Sequence, residues 1–200
     1  MGRAIVKLVA EPTGDALSLE TVKSRLRIDF GDDDEDLRTI IAGVVKHMDG
    51  PNGVLGRVLL TSTWDEKFER FPCGRDALVV SLSPLSAAGV TSVKYFDGAG
   101  VEQTLDPSLY EVEADGDGFA MIRAFDGWPA IDTRRMLPIT VRYAVGYGDD
   151  EAELPANLVN ALILHASALY EHRDGIIPGS FAVTPLGYDD LIYQYARPVA

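Results

Sequence analysis

The stretch DEDLRTIIAGVVKHMDGPNG, residues 34–53, carries the clearest structural signal in the sequence. Its apolar residues recur at helical spacing and form one stripe: Leu37, Ile40, Ile41, Val44, Val45 and Met48. The residues Gly50-Pro51-Asn52-Gly53 then end the helix, because glycine and proline both interrupt helical backbone. The stretch therefore predicts an amphipathic helix whose apolar side is covered by other polypeptide.

A shorter helix is predicted immediately before this one. Ser18 is a suitable N-cap, and Leu17 and Val22 occupy the two positions of a hydrophobic staple. The acidic run 32–36 follows, and we expect it to lie in the first turn of the second helix, where the helix dipole favours negative charge. A calcium loop is the alternative, but contiguous acids lack the alternating ligand spacing that an EF-hand needs.

The middle of the chain changes from helical to strand-like patterning. Short apolar runs lie at 58–71, 77–82, 90–96, 101–105, 110–112, 119–123 and 139–145. Turn residues separate them, as at 97–100 and 115–118. Many short strands without intervening helices favour an antiparallel sheet or sandwich over a parallel sheet.

Helical patterning returns near Pro155, which suits a first helical position. The apolar residues of this third helix span a wider arc than one core-facing side requires, so we expect part of it to face another subunit. The helix ends at 174–175, and a Gly- and Pro-interrupted connector at 175–187 leads to a last apolar segment, 186–195.

We therefore expect an α+β fold, in which two N-terminal helices and a long C-terminal helix form a helical bundle. An antiparallel β-rich insertion lies between them in the chain. All 200 residues form one domain in this interpretation. Its parts are the N-terminal helices at 17–53, the β-rich insertion at 54–150, the C-terminal helix at 154–174 and a tail segment at 175–200.

Composition limits the classes of function. Eighteen Lys and Arg against 31 Asp and Glu give a net charge of −13, which disfavours a direct grip on nucleic-acid phosphates. A single cysteine, Cys73, excludes an intramolecular disulfide and fits a reducing compartment. No apolar run is long enough to cross a membrane, and Lys7 interrupts the only segment that resembles a signal peptide. We expect a soluble protein that is intracellular when made.

No residue pattern predicts catalysis, a cofactor or a metal. His165 and His172 lie seven residues apart on the third helix, whereas paired zinc ligands on a helix usually lie three or four apart. Nothing near Cys73 in the sequence supplies a histidine that would activate its thiol. A small metal-dependent enzyme is the alternative from another class, which metal analysis and substitution of both histidines would test.

Several segments, in this order, resemble the head–tail connector (adaptor) proteins of long-tailed bacteriophages and related gene transfer agents. The opening helix ends in Leu26-Arg27-Ile28-Asp29 and leads into the acidic turn, as in that family. The further similar segments are 84–97, 100–112, 144–148, 154–155, 170–173 and 191–197. Residues 174–187 depart from the family pattern, which leaves the path into the tail segment open.

The resemblance implies a non-catalytic subunit of a ring, commonly of twelve copies, beneath the portal at the virion neck. Such a ring is assembled in the bacterial host cytoplasm, joins a DNA-filled capsid to the tail and lets DNA pass through its channel. Its neighbours are the portal and the stopper or other tail neck proteins. Another neck protein, a stopper or a tail terminator, is the nearest alternative, and both an infectious phage and a gene transfer agent fit.

Two sets of residues are predicted to contact other subunits. By resemblance, the segment 186–200 reaches the portal, through Leu186, Leu191, Ile192, Tyr193, Tyr195, Arg197 and Val199. From the wide apolar arc of the third helix and the stripe of the second, we expect contacts between copies. The residues expected there are Leu158, Leu162, Leu169, Tyr170, Ile41 and Val45.

Overall fold

A computed structural model describes residues 5–74, 76–172 and 187–196, without the side chain of residue 87. This described part contains four α-helices and eight β-strands, and the strands pair antiparallel, so the predicted α+β class is confirmed. The chain forms two compact units. The β unit consists of Met1–Pro12 and Thr61–Tyr147, and the helical unit consists of Thr13–Leu60 and Gly148–Ala200.

The helical unit contains all four helices. They are α1 at Leu19–Leu26, α2 at Asp34–Met48, α3 at Ala156–Glu171 and α4 at Tyr188–Tyr193. Helix α3 packs against each of the other three, and α1 also packs against α2. Helix α3, the longest of the four, is therefore at the centre of the helical unit.

Helix α1 begins as its sequence predicts. The Ser18 hydroxyl oxygen accepts a hydrogen bond from the Thr21 backbone N–H at 3.1 Å, which satisfies one of the free donors of the first turn. The staple residues Leu17 and Val22 are both buried. A second acceptor comes from far along the chain, because Glu151 accepts bonds from the Ser18 N–H and the Thr21 hydroxyl, both at 2.7 Å.

Helix α2 has the predicted acidic first turn, at Asp34, Glu35 and Asp36. The Lys23 ammonium bonds the Asp34 carboxylate at 2.6 Å and the Phe30 carbonyl oxygen at 2.6 Å, and so ties α1 to the start of α2. The buried stripe of α2 comprises Leu37, Ile41, Val44 and Met48. Full burial of such a side chain stabilises the fold by about 1.5–3 kcal/mol.

The β unit contains two antiparallel sheets. The first has the strand order β1-β2-β8-β4-β5 and the second the order β3-β7-β6. The strands are β1 Ile5–Ala10, β2 Ser62–Phe68, β3 Leu78–Val79, β4 Leu85–Phe96, β5 Glu102–Thr104, β6 Tyr110–Ala114, β7 Ala120–Ala124 and β8 Ile139–Val145. Strand β8 is central, and its neighbours are distant in sequence.

Side chains alternate between the two faces of the first sheet. On one face Tyr143 is fully buried and donates a hydrogen bond from its hydroxyl to the buried Glu66 carboxylate at 2.6 Å. On the other face Arg142 forms a bidentate ion pair with Asp65 at 2.7 and 2.8 Å. The pairing of β2 with β8 places these partners opposite or nearly opposite each other.

The strand predictions differ in accuracy. The run 139–145 coincides with β8, whereas 58–71 shortens to β2 and 77–82 shortens to the two residues of β3. Strand β4 begins five residues earlier than the predicted run 90–96. The turn at 115–118 joins β6 to β7 as expected, since Asp115 Oδ1 accepts bonds from the Asp117 and Phe119 N–H groups.

Candidate interaction surfaces

The C-terminal segment 187–196 packs on the rest of the helical unit. Tyr188 and Ile192 of α4 are buried, and α4 lies against α3. The Tyr188 hydroxyl lies 3.4 Å from His165 Nδ1 on α3. Beyond α4, the nearly buried Arg57 donates from Nε to the Tyr195 carbonyl oxygen at 2.7 Å. These contacts fix one side of the segment to its own subunit.

The other side of the segment carries the side chains that are still accessible to a partner. Tyr193 is 83% exposed, the most exposed large apolar side chain among the described residues. Leu191 and Tyr195 are half-buried. Ile192 is buried in its own unit, so in this conformation it is not presented to a portal. The other predicted portal residues, Leu186, Arg197 and Val199, and the connector 174–186 lie outside the described residues.

The residues predicted to contact other copies also fall into a buried group and an exposed group. Leu158, Leu162 and Ile41 are buried inside the helical unit, which corrects the expectation that they face a neighbouring copy. The physical reason is that α1, α2 and α4 all pack on α3 and cover most of its wide apolar arc.

The remaining members of that set reach the surface. Leu169 is 45% exposed, and Val45 and Tyr170 are half-buried. The Tyr170 hydroxyl donates to Asp33 Oδ2 at 2.5 Å, which fixes the end of α3 against the start of α2.

The three histidines of the helical unit have different surroundings. His165 stacks edge-to-face with His47 of α2, with ring centroids 5.4 Å apart, while His172 lies at the C-terminal cap of α3. Burial and the neighbouring His47 lower the pKa of His165. No group of three or more potential metal-ligating side chains occurs within the described ranges. Cys73 is exposed.

Negative charge is concentrated in the helical unit. That unit contains 17 Asp and Glu against 8 Lys and Arg, whereas the β unit contains 14 against 10. The acids occur mainly at the start of α2 and in the segment 149–153. Several already bind groups of their own unit, as Asp34 binds Lys23 and Glu151 binds Ser18. These acids therefore stabilise the local fold.

The sequence did not predict that Arg57 anchors the C-terminal segment. The bond from Arg57 to Tyr195 joins positions 138 residues apart, and no local pattern indicates it. A lone arginine in the irregular segment between α2 and β2 is compatible with many roles.

Within the described residues, no helix combines the length and apolarity needed to cross a bilayer.

The two-unit fold is similar to the fold of chains in solved gene transfer agent (GTA) structures. It matches a chain in the structure "Virion of native gene transfer agent (GTA) particle", with a TM-score of 0.75 and 21% identity. It also matches chains of the neck of an empty GTA particle computed with C6 symmetry and of a native one computed with C12 symmetry. Their TM-scores are 0.73 and 0.66, at 19% and 18% identity. Each match covers 98% of this chain and 97% of the other.

At these identities the matches show the shared fold, and the fold extends over nearly the whole length of both chains. No protein family model matches the sequence. No curated protein sequence matches it significantly. The structural likeness to gene transfer agent neck chains is consistent with the resemblance to head–tail connectors seen in the sequence.

Proposed function

We propose that this protein is a structural, non-catalytic adaptor subunit of a phage or gene transfer agent neck. It forms a ring beneath the portal and joins the DNA-filled capsid to the tail. The observation that carries the proposal is the match of nearly the whole fold to chains of GTA neck and virion structures. A match of both units, with 97% of the other chain covered, argues against reuse of one small module in an unrelated protein.

A twelve-membered ring is the proposed assembly. One matching neck was computed with C12 symmetry, and closed rings are built from heterologous contacts in which one surface binds a different surface of the next copy. On the helical unit, the proposed contact uses Leu169, which is 45% exposed, and the half-buried Val45 and Tyr170. Burial of an exposed leucine by a neighbour would add to the stability of the ring.

The portal is the proposed partner of the C-terminal segment. Tyr193 presents an aromatic ring to solvent, while Tyr188 and Ile192 hold the same short helix against α3. An exposed aromatic side chain on a well-anchored element is typical of interface residues that carry much of the binding free energy. Leu191 and Tyr195 extend this surface.

DNA is proposed to pass through the ring without sequence-specific binding. The net charge of −13, concentrated in the helical unit, opposes adhesion to phosphates. A gel-shift titration with duplex DNA at low salt should therefore show no complex. A salt-sensitive complex would contradict this part of the proposal, because it would mean that Lys and Arg side chains release counterions on binding.

Portal binding tests the adaptor assignment and separates it from a stopper. The purified chain should bind isolated portal rings, and Tyr193→Ala should weaken that binding about tenfold or more. Leu109→Ala is the control, since Leu109 is a large apolar residue of the β unit that is 48% exposed. A chain that binds only a preformed adaptor–portal complex would instead be a stopper, and unchanged portal binding by Tyr193→Ala would remove α4 from the interface.

A further inference from the structure

The β unit carries a basic groove next to the segment between β7 and β8. The groove has a volume of about 530 Å³, and its lining includes Arg70, Arg134 and Arg135 with the apolar Ile131 and Met136. Met136 is 82% exposed. Three arginines around one groove are unusual in a chain with a net charge of −13. The lining also includes one acid, Glu69, which bonds Arg70 at 3.4 Å.

Two of these arginines are held in fixed positions. Arg134 donates from Nε to Asp132 Oδ1 at 2.8 Å and from a terminal nitrogen to Oδ2 at 3.1 Å. Arg135 lies 3.7 Å from the same carboxylate, and its guanidinium lies 3.7 Å above the centre of the Phe96 ring. Hydrogen bonds from Arg134 lower the pKa of Asp132. One carboxylate thus orients two cations and leaves their combined charge positive.

The second sheet of the β unit contains an acidic hairpin. It consists of β6, the turn 115–118 and β7, and it presents Glu111, Glu113 and Asp117 at the surface. Neither Glu111 nor Glu113 takes part in an ion pair or side-chain hydrogen bond within the described part of the chain, although Arg123 lies directly across from Glu111 on β7. Among the described strands, β6 is an edge strand of its sheet.

The strand pairing places the groove and the hairpin turn at opposite ends of the first sheet. The Gly118 carbonyl oxygen accepts from the Leu85 N–H at 2.7 Å, and Leu85 pairs with Val145 at the end of β8. The Asp132 N–H donates to the Phe96 carbonyl oxygen at 2.8 Å, at the end of β4 that lies beside the start of β8. Seven residues of β8 separate these ends, about 20 Å.

We propose that the basic groove of one copy receives the acidic hairpin of the next copy, so that the β units form a second, charge-complementary contact around the ring. The hairpin turn and the groove lie near opposite ends of the first sheet, so the turn of one subunit is positioned for the groove of the next, the head-to-tail contact that a closed ring requires. This inference rests on the proposed ring, for which it supplies a subunit contact.

Charge reversal tests the contact. Portal-bound rings of wild type are compared with R134E/R135E, with E113R/D117R and with the variant carrying all four changes. Each double variant should assemble about tenfold or more weakly, because like charges then face each other, and the fourfold variant should recover assembly. The control K94E/E102K reverses the ion pair between Lys94 and Glu102, which bonds at 3.4 Å, and should assemble normally.

Crosslinking gives a second measurement that does not depend on charge. In a Cys73→Ser background, E113C/T133C should form disulfide-linked ladders in assembled rings, whereas E113C alone should form none beyond background. Rings that form normally with either double charge variant, or that give no ladder, would overturn the hairpin–groove contact and leave the adaptor ring standing. Failure of the wild-type chain to form any ring on the portal would instead overturn the proposed function.

Discussion

Substitution of two leucines of α3 distinguishes the effect of core packing on stability from the effect of a subunit contact on ring assembly. Leu162 is fully buried and Leu169 is 45% exposed, two turns further along the same helix. Leu162→Ala removes three carbon atoms from a site closed by other helices, which costs about 2–5 kcal/mol of unfolding free energy through lost transfer energy and the remaining cavity. Leu169→Ala removes the same atoms from a half-exposed site and costs about 1 kcal/mol or less.

Urea unfolding followed by helical circular dichroism measures both effects. All four helices of the described residues belong to the helical unit, so this signal follows the unit that contains both leucines. The midpoint of Leu162→Ala should fall clearly below that of the wild type, while the midpoint of Leu169→Ala should stay close to it.

Ring assembly should rank the two variants differently. Leu169→Ala should weaken assembly on the portal without weakening the fold, because its side chain is proposed to lie against the neighbouring copy. Leu162→Ala should assemble in proportion to the fraction of folded chain. If Leu162→Ala were as stable as the wild type, or Leu169→Ala assembled normally, the division between core and interface drawn from burial would be refuted.

The remaining predictions concern the caps, the buried polar pair and the histidines. Ser18→Ala should lower the stability of the helical unit by about 0.5–2 kcal/mol in urea, whereas Ser18→Asp should retain most of it, because Asp also caps. Tyr143→Phe should cost about 1–3 kcal/mol, measured by near-ultraviolet circular dichroism in urea, because it leaves the buried Glu66 with one partner fewer. The pKa of His165 is lowered from 6.5, so the unfolded chain takes up its proton first as pH falls. The contribution of neutral His165 to the free energy of unfolding is complete above pH 6.5 and decreases below it. His165→Gln should therefore flatten that part of the plot of stability against pH.

Local signals in the sequence predicted local structure well. The cap at Ser18, the acidic first turn of α2 and the turn at 115–118 all follow from contacts within a few residues, and the structure confirms each. The strand β8 was also predicted with its observed ends, since its apolar residues are bounded by clear turn residues.

Packing between segments distant in the chain determines the features that the sequence did not predict. The wide apolar arc of α3 indicated a second subunit, but three other helices of the same chain cover Leu158 and Leu162. His165 and His172 are related by helical spacing, whereas the contact of His165 with His47 depends on how α2 packs on α3. Of the groove arginines, Arg134 and Arg135 are adjacent in the sequence, and folding brings Arg70, which follows β2, to the same groove.

Electron microscopy of particle necks measures the position of this chain most directly. Density for twelve copies should form a ring in contact with the portal, with Tyr193 at that contact and the β units touching through hairpin and groove. Necks in which the chain lies away from the portal, or particles that join heads to tails after its gene is deleted, would contradict the adaptor assignment.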